Sequence, residues 1–323
     1  MKVAITDTIP VVGLERLSAL FELCVNRQDR PLSREELLDM VGDAAALVCM
    51  LSDSVDADLI DAGAQLRVVA NFAVGYNNID VEHATQKGIV VTNTPGVLTD
   101  ATADLAWSLL MSIARRIVEG DRFVRSGTFQ GWRPQLLLGS DVYGKTIGVV
   151  GLGRVGQAVA RRALGFGMRV LYCGRTRLSQ ETERTYQAEH TDLSTLLRLS
   201  DFVTLHVPLT PLTYHLIGET ELRMMKATAC LVNTSRGPVV DEQALIEVLQ
   251  ENAIAGAAMD VYEKEPELSS GLAALRNVVL TPHIGSATRE TRDRMSHMVA
   301  DNVIAVLSGR RPPNPVNSEV LDR

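Results

Sequence analysis

The sequence predicts an α/β protein made of two doubly wound parallel-sheet domains. Three observations carry that reading. The first third of the chain alternates short apolar runs with helical patterns, a second alternating series begins at Thr146, and a glycine-rich turn follows a strand at Gly151, in mid-chain. Strands that alternate with helices pair in parallel, because each crossover helix returns the chain to the same end of the sheet. At 323 residues the chain has room for about two domains.

The elements follow in order. Val3-Ala4-Ile5 opens as a strand, and 45–50, 66–70 and 89–91 are the next three. Between them, Ser33 and Glu36 stand at capping-box spacing ahead of Leu37 and Leu38. Pro95-Gly96 is punctuation. Leu105, Leu109, Ile113 and Ile117 then recur every fourth residue, so one long helix is expected from Thr99 past Gly120 toward Ser126-Gly127. Residues 127–134, rich in glycine and aromatics, read as an irregular loop. Strands are expected at 147–150, 169–173, 202–205, 229–232, 255–259 and 277–280. A last helix is expected over 288–308, with the stripe Met295, Val299, Val303 and Leu307, stopped by Arg311-Pro312-Pro313-Asn314-Pro315.

Composition excludes several function classes. Hydrophobic residues make up 46% and charged residues 22%, as in ordinary globular proteins. Lys and Arg number 32 against 39 Asp and Glu, a net charge of −7, which argues against a nucleic-acid partner. No apolar run reaches about 18 residues and no basic segment precedes an apolar one, so neither a membrane span nor a signal peptide is expected. Cys49 and Cys230 lie in apolar runs, Cys24 and Cys173 follow apolar residues, and none forms a CxxC pair. Reduced thiols in a cytoplasmic protein without a metal site are therefore expected.

Gly151-Leu152-Gly153-Arg154-Val155-Gly156 follows the strand 147–150 and opens a helix that leads to a second strand. That context turns a weak motif into a dinucleotide-binding fingerprint of the Rossmann type. Gly151 makes the tight turn, Gly153 lets the pyrophosphate approach backbone, and Gly156 lets helix pack on strand. The free N–H groups of the helix start then face the anion. Gly148, inside the strand, marks another close approach.

The end of the second strand carries Gly174-Arg175-Thr176-Arg177 and no carboxylate. An acid there would bind the ribose 2′-hydroxyl of NAD, whereas an arginine pairs with a 2′-phosphate. NADP(H) is the expected cofactor, with NAD(H) second.

Three further strand ends bring chemistry. Asn233-Thr234-Ser235-Arg236-Gly237 delivers an arginine, the segment Asp260 to Pro266 delivers acids, and Thr281-Pro282-His283-Ile284-Gly285 delivers a histidine. Ligands of open α/β sheets bind outside the carboxyl ends of strands. An arginine suits a carboxylate, and histidine is the usual proton donor near neutrality.

With these residues the chain resembles the D-2-hydroxyacid dehydrogenase family, most closely its glyoxylate/hydroxypyruvate reductases. The resemblance spans nearly the whole chain. Its other marks are 71–80, NFAVGYNNID, and 93–100, NTPGVLTD; the subfamily rests on Arg175-Thr176-Arg177 and on 123–127 leading to Trp132. The resemblance implies that Arg236 binds the substrate carboxylate and keto oxygen, that Glu265 hydrogen-bonds His283, and that His283 donates the proton. It implies that N–H groups of Val74 and Gly75 hold the carboxylate; side chains such as Leu51 and Trp132 are expected to decide substrate size. It places Asp260 at the nicotinamide carboxamide, Thr234, Ser235 and Gly285 along the cofactor, and Pro208 near the adenosine.

The expected architecture is a flavodoxin-like substrate-binding domain, 1–96 with 287–323, and an NAD(P)-binding domain, 97–286, with the site in the cleft between them. The segment 97–145, with Phe129 and Trp132, is expected to make a homodimer contact. The expected activity is NADPH-dependent reduction of a small 2-keto acid, glyoxylate or hydroxypyruvate, to glycolate or D-glycerate. Phosphite or another D-2-hydroxyacid is the alternative substrate on the same scaffold. A dinucleotide-sensing, corepressor-like binding protein is the alternative of another class.

Overall fold

The computed structural model describes residues 1–322. The chain divides into two units, Met1–Leu98 joined by the chain from Ser286, and Thr99–Gly285. Each builds its own parallel sheet.

In the first unit the strands are β1 (Lys2–Ile5), β2 (Glu22–Val25), β3 (Ala46–Cys49), β4 (Val68–Asn71) and β5 (Val90–Thr92). The helices between them are α1 (Val11–Ser18), α2 (Arg34–Val41), α3 (Ala57–Ala62) and α4 (Val81–Gln86). The strand order is β2-β1-β3-β4-β5, all parallel, which is the flavodoxin-like order. β3, β4 and β5 are buried along their whole length because helices cover both sheet faces. The capping box of α2 forms as its spacing predicts: Glu36 N–H donates to the Ser33 hydroxyl, and Ser33 N–H donates to the Glu36 carboxylate at 2.8 Å.

In the second unit the chain runs through α5 (Thr99–Ala114), α6 (Ile117–Arg125), β6 (Thr146–Val150), α7 (Arg154–Gly165), β7 (Arg169–Cys173), α8 (Gln180–Tyr186) and β8 (Ala188–His190). It continues through α9 (Leu193–Leu199), β9 (Phe202–Leu205), α10 (Glu219–Met224), β10 (Cys230–Asn233), α11 (Glu242–Gln250), β11 (Gly256–Met259) and β12 (Val278–Leu280). The strand order is β12-β11-β10-β9-β6-β7-β8, again all parallel. The order reverses between β6 and β9, the switch point at which such sheets bind ligands. Gly148 of β6 is required by a side-chain approach: a Cβ there would lie 2.3 Å from Ser200 Oγ and 2.4 Å from Leu196 Cδ2.

The last helix, α12 (Arg289–Leu307), belongs to the first unit, where it packs on α1 and β4. Its expected stripe is the buried one: Met295, Val299, Val303 and Leu307 are each at most 5% exposed.

The structure corrects one expected element and adds two. The long helix of 99–127 is two helices, broken at Arg115-Arg116, and Arg116 sits at φ 52°. The cause is non-local. Ser140 N–H donates to the Ala114 carbonyl at 2.8 Å, and a Cβ on Gly139 would lie 2.3 Å from that oxygen, so the returning chain takes the acceptor that a continuing helix would use. The two added strands, β2 and β8, are the outer strands on one edge of each sheet.

Candidate active site

The turn after β6 has the geometry its glycines predict. Gly151 sits at φ 94°, a region open to glycine at little cost. A Cβ on Gly156 would lie 2.2 Å from the Gly151 carbonyl oxygen, so the first turn of α7 packs directly on the loop. A Cβ on Gly153 would meet no protein atom within 4 Å. Gly153 caps α7 without a side-chain hydrogen bond, which leaves the N–H groups of the first turn without a side-chain acceptor.

After β10 the chain turns sharply. Asn233 Oδ1 accepts from Ser235 N–H at 3.0 Å and from the Ser235 hydroxyl at 2.8 Å, while its amide donates to the Arg236 carbonyl at 2.9 Å. A Cβ on Gly237 would lie 1.8 Å from the Tyr262 carbonyl oxygen, so this turn lies flat against the chain leaving β11. Arg236 is thereby half-buried near Glu265. Burial draws its guanidinium below the usual arginine pKa, and the Glu265 carboxylate works against that shift.

Glu265 and His283 are in contact. Glu265 Oε2 lies 2.8 Å from His283 Nδ1, and Glu265 Oε1 accepts from Tyr262 N–H at 2.9 Å. Burial alone would raise the Glu265 pKa, but the His283 contact, the Tyr262 N–H and the Arg236 charge outweigh it and hold the carboxyl below its ordinary value. His283 has φ 54°, unusual for a residue with a Cβ. Asp260 fixes the surrounding segment. It is 1% exposed and accepts from the Thr281 hydroxyl at 2.6 Å and from the N–H groups of Ile284 and Gly285 at 2.8 Å each. Burial pushes its carboxyl up, against the pull of those three donors.

In the first unit, Val74 and Gly75 follow β4 with their carbonyls already taken. The Asn71 amide donates to the Gly75 carbonyl at 2.6 Å, and the Asn93 amide donates to the Val74 carbonyl at 2.8 Å. The Arg292 guanidinium stands 5.7 Å from the centre of the Phe72 ring, two residues before Val74.

Residues 107–285 match the model of the family described as D-isomer specific 2-hydroxyacid dehydrogenase, NAD binding domain. The chain belongs to this family. A glyoxylate reductase of Thermococcus gammatolerans is 55% identical over 99% of this chain and 97% of its own. Among solved structures, a protein of Thermus thermophilus superposes with a TM-score of 0.92 at 46% identity, covering 98% of this chain and 100% of its own. An NADPH-dependent glyoxylate/hydroxypyruvate reductase of Sinorhizobium meliloti, solved with NADP and malonate, superposes at 0.85 with 33% identity over 98% of this chain and 96% of its own.

The dehydrogenase is thus an NAD(P)-dependent enzyme of two parallel-sheet domains, and its own residues fit a dinucleotide. Gly153 leaves the approach to α7 open, and the Thr234 hydroxyl is buried without a hydrogen-bond partner among the described residues. Arg175 is exposed just past β7, as are Gly174 and Thr176. Arg177 is exposed too but engaged: it grips Glu183 at 2.8 and 3.0 Å, and Glu183 also accepts from the Tyr172 hydroxyl at 2.7 Å. Pro208 is exposed after β9, and Leu51 is half-buried after β3. Trp132 is 83% exposed in the dehydrogenase chain.

The motifs quoted from the sequence contain, without marking their part, residues that hold the others in place. Asn93, Asn71, Asn233, Tyr262 and Thr281 bond backbone or carboxylate groups of the segments that carry the expected site residues. The legible signal was a polar residue ending a buried strand, as at Asn71 and Asn233, which are both 0% exposed.

Proposed function

We propose that this dehydrogenase reduces a small 2-keto acid, glyoxylate or hydroxypyruvate, to the 2-hydroxy acid with NADPH. The observation that carries the reading is the Glu265–His283 contact with the Arg236 guanidinium beside it. The names of the similar proteins support the substrate class, and one of them supports the cofactor.

A bound nicotinamide dinucleotide supplies the hydride. The chain's own residues do the rest. Arg236 binds the substrate carboxylate and faces the keto oxygen. The N–H groups of Val74 and Gly75, whose peptides Asn71 and Asn93 orient, bind the carboxylate as well. Reduction builds negative charge on the keto oxygen, and His283 delivers a proton to it. A carboxylate only accepts hydrogen bonds, so Glu265 keeps a proton on Nδ1 and leaves Nε2 to act as the donor. A preorganised donor of this kind contributes about 3 kcal/mol of transition-state stabilisation in other enzymes.

The unit Thr99–Gly285 is the NAD(P)-binding domain, with Leu152, Arg154 and Val155 in the fingerprint and Ser235 and Gly285 along the cofactor. The unit with Val74 and Gly75 is the substrate-binding domain, and Leu51 and Trp132 limit the size of the substrate. Asp260, with three protein donors already, acts first as the tether of the His283 segment and offers at most one remaining lone pair to the carboxamide. Arg175 pairs with the 2′-phosphate. The protein is a homodimer: Ile117, Val124, Phe129 and Trp132 are all more than half exposed on one stretch of chain. A cytoplasmic location fits the four free cysteines.

The test is steady-state reduction of glyoxylate and hydroxypyruvate with NADPH and NADH side by side. Turnover with preference for NADPH supports the reading. Absence of turnover of both acids with either cofactor overturns it.

A further inference from the structure

We propose that Glu242 is a positioning residue for the reaction, because it fixes the loop that carries Glu265 and so sets the Glu265–His283 contact. This rests on the roles given above to Glu265 and His283.

Glu242 is the first residue of α11 and is 0% exposed. One carboxylate oxygen accepts from Glu263 N–H at 2.6 Å, and the other accepts from the Ser269 hydroxyl at 2.6 Å. These two anchors bracket Glu265. Between them the loop closes on itself, with Glu267 N–H donating to the Lys264 carbonyl at 2.9 Å. A single buried carboxylate therefore holds both ends of the turn whose tip is Glu265.

Glu263 answers Glu242. Its side chain accepts from Glu242 N–H at 3.4 Å, and its other oxygen lies 2.9 Å from His215 Nε2. The other ring nitrogen of His215 faces Asp241 at 3.7 Å, and Asp241 in turn caps α11 through Ala244 N–H. The loop is thus tied to the start of α11 by reciprocal backbone-to-carboxylate bonds. An interior carboxylate is costly unless it is hydrogen-bonded. The start of α11 offsets part of that cost through its partial positive charge. Among the described residues, the bonds of Glu242 from beyond α11 come from the Glu265 loop.

The experiment compares Glu242→Ala, Glu242→Gln and Glu265→Gln, singly and in the Glu242→Ala/Glu265→Gln pair. The readouts are pH profiles of kcat/KM for glyoxylate with NADPH, NADPH affinity by fluorescence, and thermal stability. A displacement of about 1 Å at a catalytic group costs up to about 100-fold. We expect Glu242→Ala to lower kcat by about 10- to 100-fold at unchanged NADPH affinity and to move the alkaline limb of the profile toward that of Glu265→Gln. In the Glu265→Gln background the same change should cost less than about 3-fold, because coupled residues are not additive. Glu242→Gln keeps an acceptor for Glu263 N–H and can turn its amide to the Ser269 hydroxyl, so it should recover most of the loss. Ser269→Ala removes one anchor and serves if Glu242→Ala does not fold; it should move the limb in the same direction.

The proposal is overturned if Glu242→Ala and Ser269→Ala keep the wild-type profile shape, or if Glu242→Ala and Glu265→Gln add fully. The Nδ1–H proton resonance of His283 reads the same contact without turnover. It should weaken in Glu242→Ala, and an unchanged resonance contradicts the proposal. Failure of the wild type to reduce glyoxylate would overturn the substrate reading separately, and the resonance would still decide the role of Glu242.

Discussion

Glu265 holds His283 by Nδ1, at 2.8 Å, on a histidine whose backbone sits at φ 54°. A strained backbone of this kind costs about 1–3 kcal/mol and persists only where its surroundings over-determine it. Here Asp260 binds the two N–H groups that follow, at Ile284 and Gly285, and Glu265 binds the ring. The imidazole is thus aimed from both sides.

The first prediction concerns pH. Reduction needs His283 with a proton to give, so its rate should fall as pH rises through the titration of the enzyme–NADPH complex. Oxidation of the 2-hydroxy acid needs the neutral ring and should rise over the same range. Glu265 is held below its ordinary pKa of 4.5, so it keeps its charge above that pH, and the stability its pairing contributes is lost only as pH falls through the lowered value. The acid limb assigned to Glu265 should therefore lie below pH 4.5. Glu265→Gln should move the alkaline limb to lower pH; an unmoved limb removes Glu265 from this role.

The fingerprint glycines should separate folding from binding. Gly156→Ala puts a Cβ 2.2 Å from the Gly151 carbonyl and should cost about 1–3 kcal/mol of stability, read as a lower Tm. Gly153→Ala meets no protein atom within 4 Å and should fold with the wild-type Tm while losing dinucleotide affinity about 10-fold or more. Equal Tm losses in both would contradict the open approach at Gly153.

The arginines past β7 should not be equivalent. Arg177 already grips Glu183, and that pair, with the Tyr172 hydroxyl, holds Glu183 down to a pKa of about 2. Both arginines are exposed, and Arg175, which grips no carboxylate among the described residues, is the one a 2′-phosphate can recruit. Arg175→Ala should raise the KM for NADPH by about 10- to 100-fold and leave that for NADH unchanged, as expected for a charge-assisted hydrogen bond. A larger NADPH effect for Arg177→Ala would reverse the assignment.

Trp132 should matter to assembly. A tryptophan 83% exposed, on a segment with Phe129 51% exposed, is the kind of aromatic anchor that dominates interfaces. Trp132→Ala should shift the protein toward monomer in sedimentation at low micromolar concentration. An unchanged distribution would place the dimer contact elsewhere.

Much of this was legible in the sequence because the signals were local. Runs such as Ala46–Cys49 and Cys230–Asn233 are buried on both faces, and the fingerprint needs only six consecutive residues. What escaped was set by tertiary contacts. β2 is only half-buried, with a short run Leu23-Cys24-Val25 after an exposed Glu22, and β8 holds one buried residue in three and no apolar run. The break before Arg116 keeps the four-residue spacing of Ile113 and Ile117, and only the approach of Gly139 and Ser140 reveals it. In the site, Arg236 and His283 stood out by type and strand end, and Glu265, one of several acids past β11, by the family resemblance. Glu242, and the part Asp260 plays as tether of the His283 segment, did not, because the bonding partners lie more than 20 residues away in the chain.

The most direct test is reduction of glyoxylate with NADPH by His283→Asn, alongside NADPH affinity. Asparagine tolerates a positive φ, so the backbone is spared. The account predicts a fall in kcat of about 10²- to 10⁴-fold at unchanged NADPH affinity, the usual worth of a positioned proton donor. Turnover within about tenfold of wild type would contradict it.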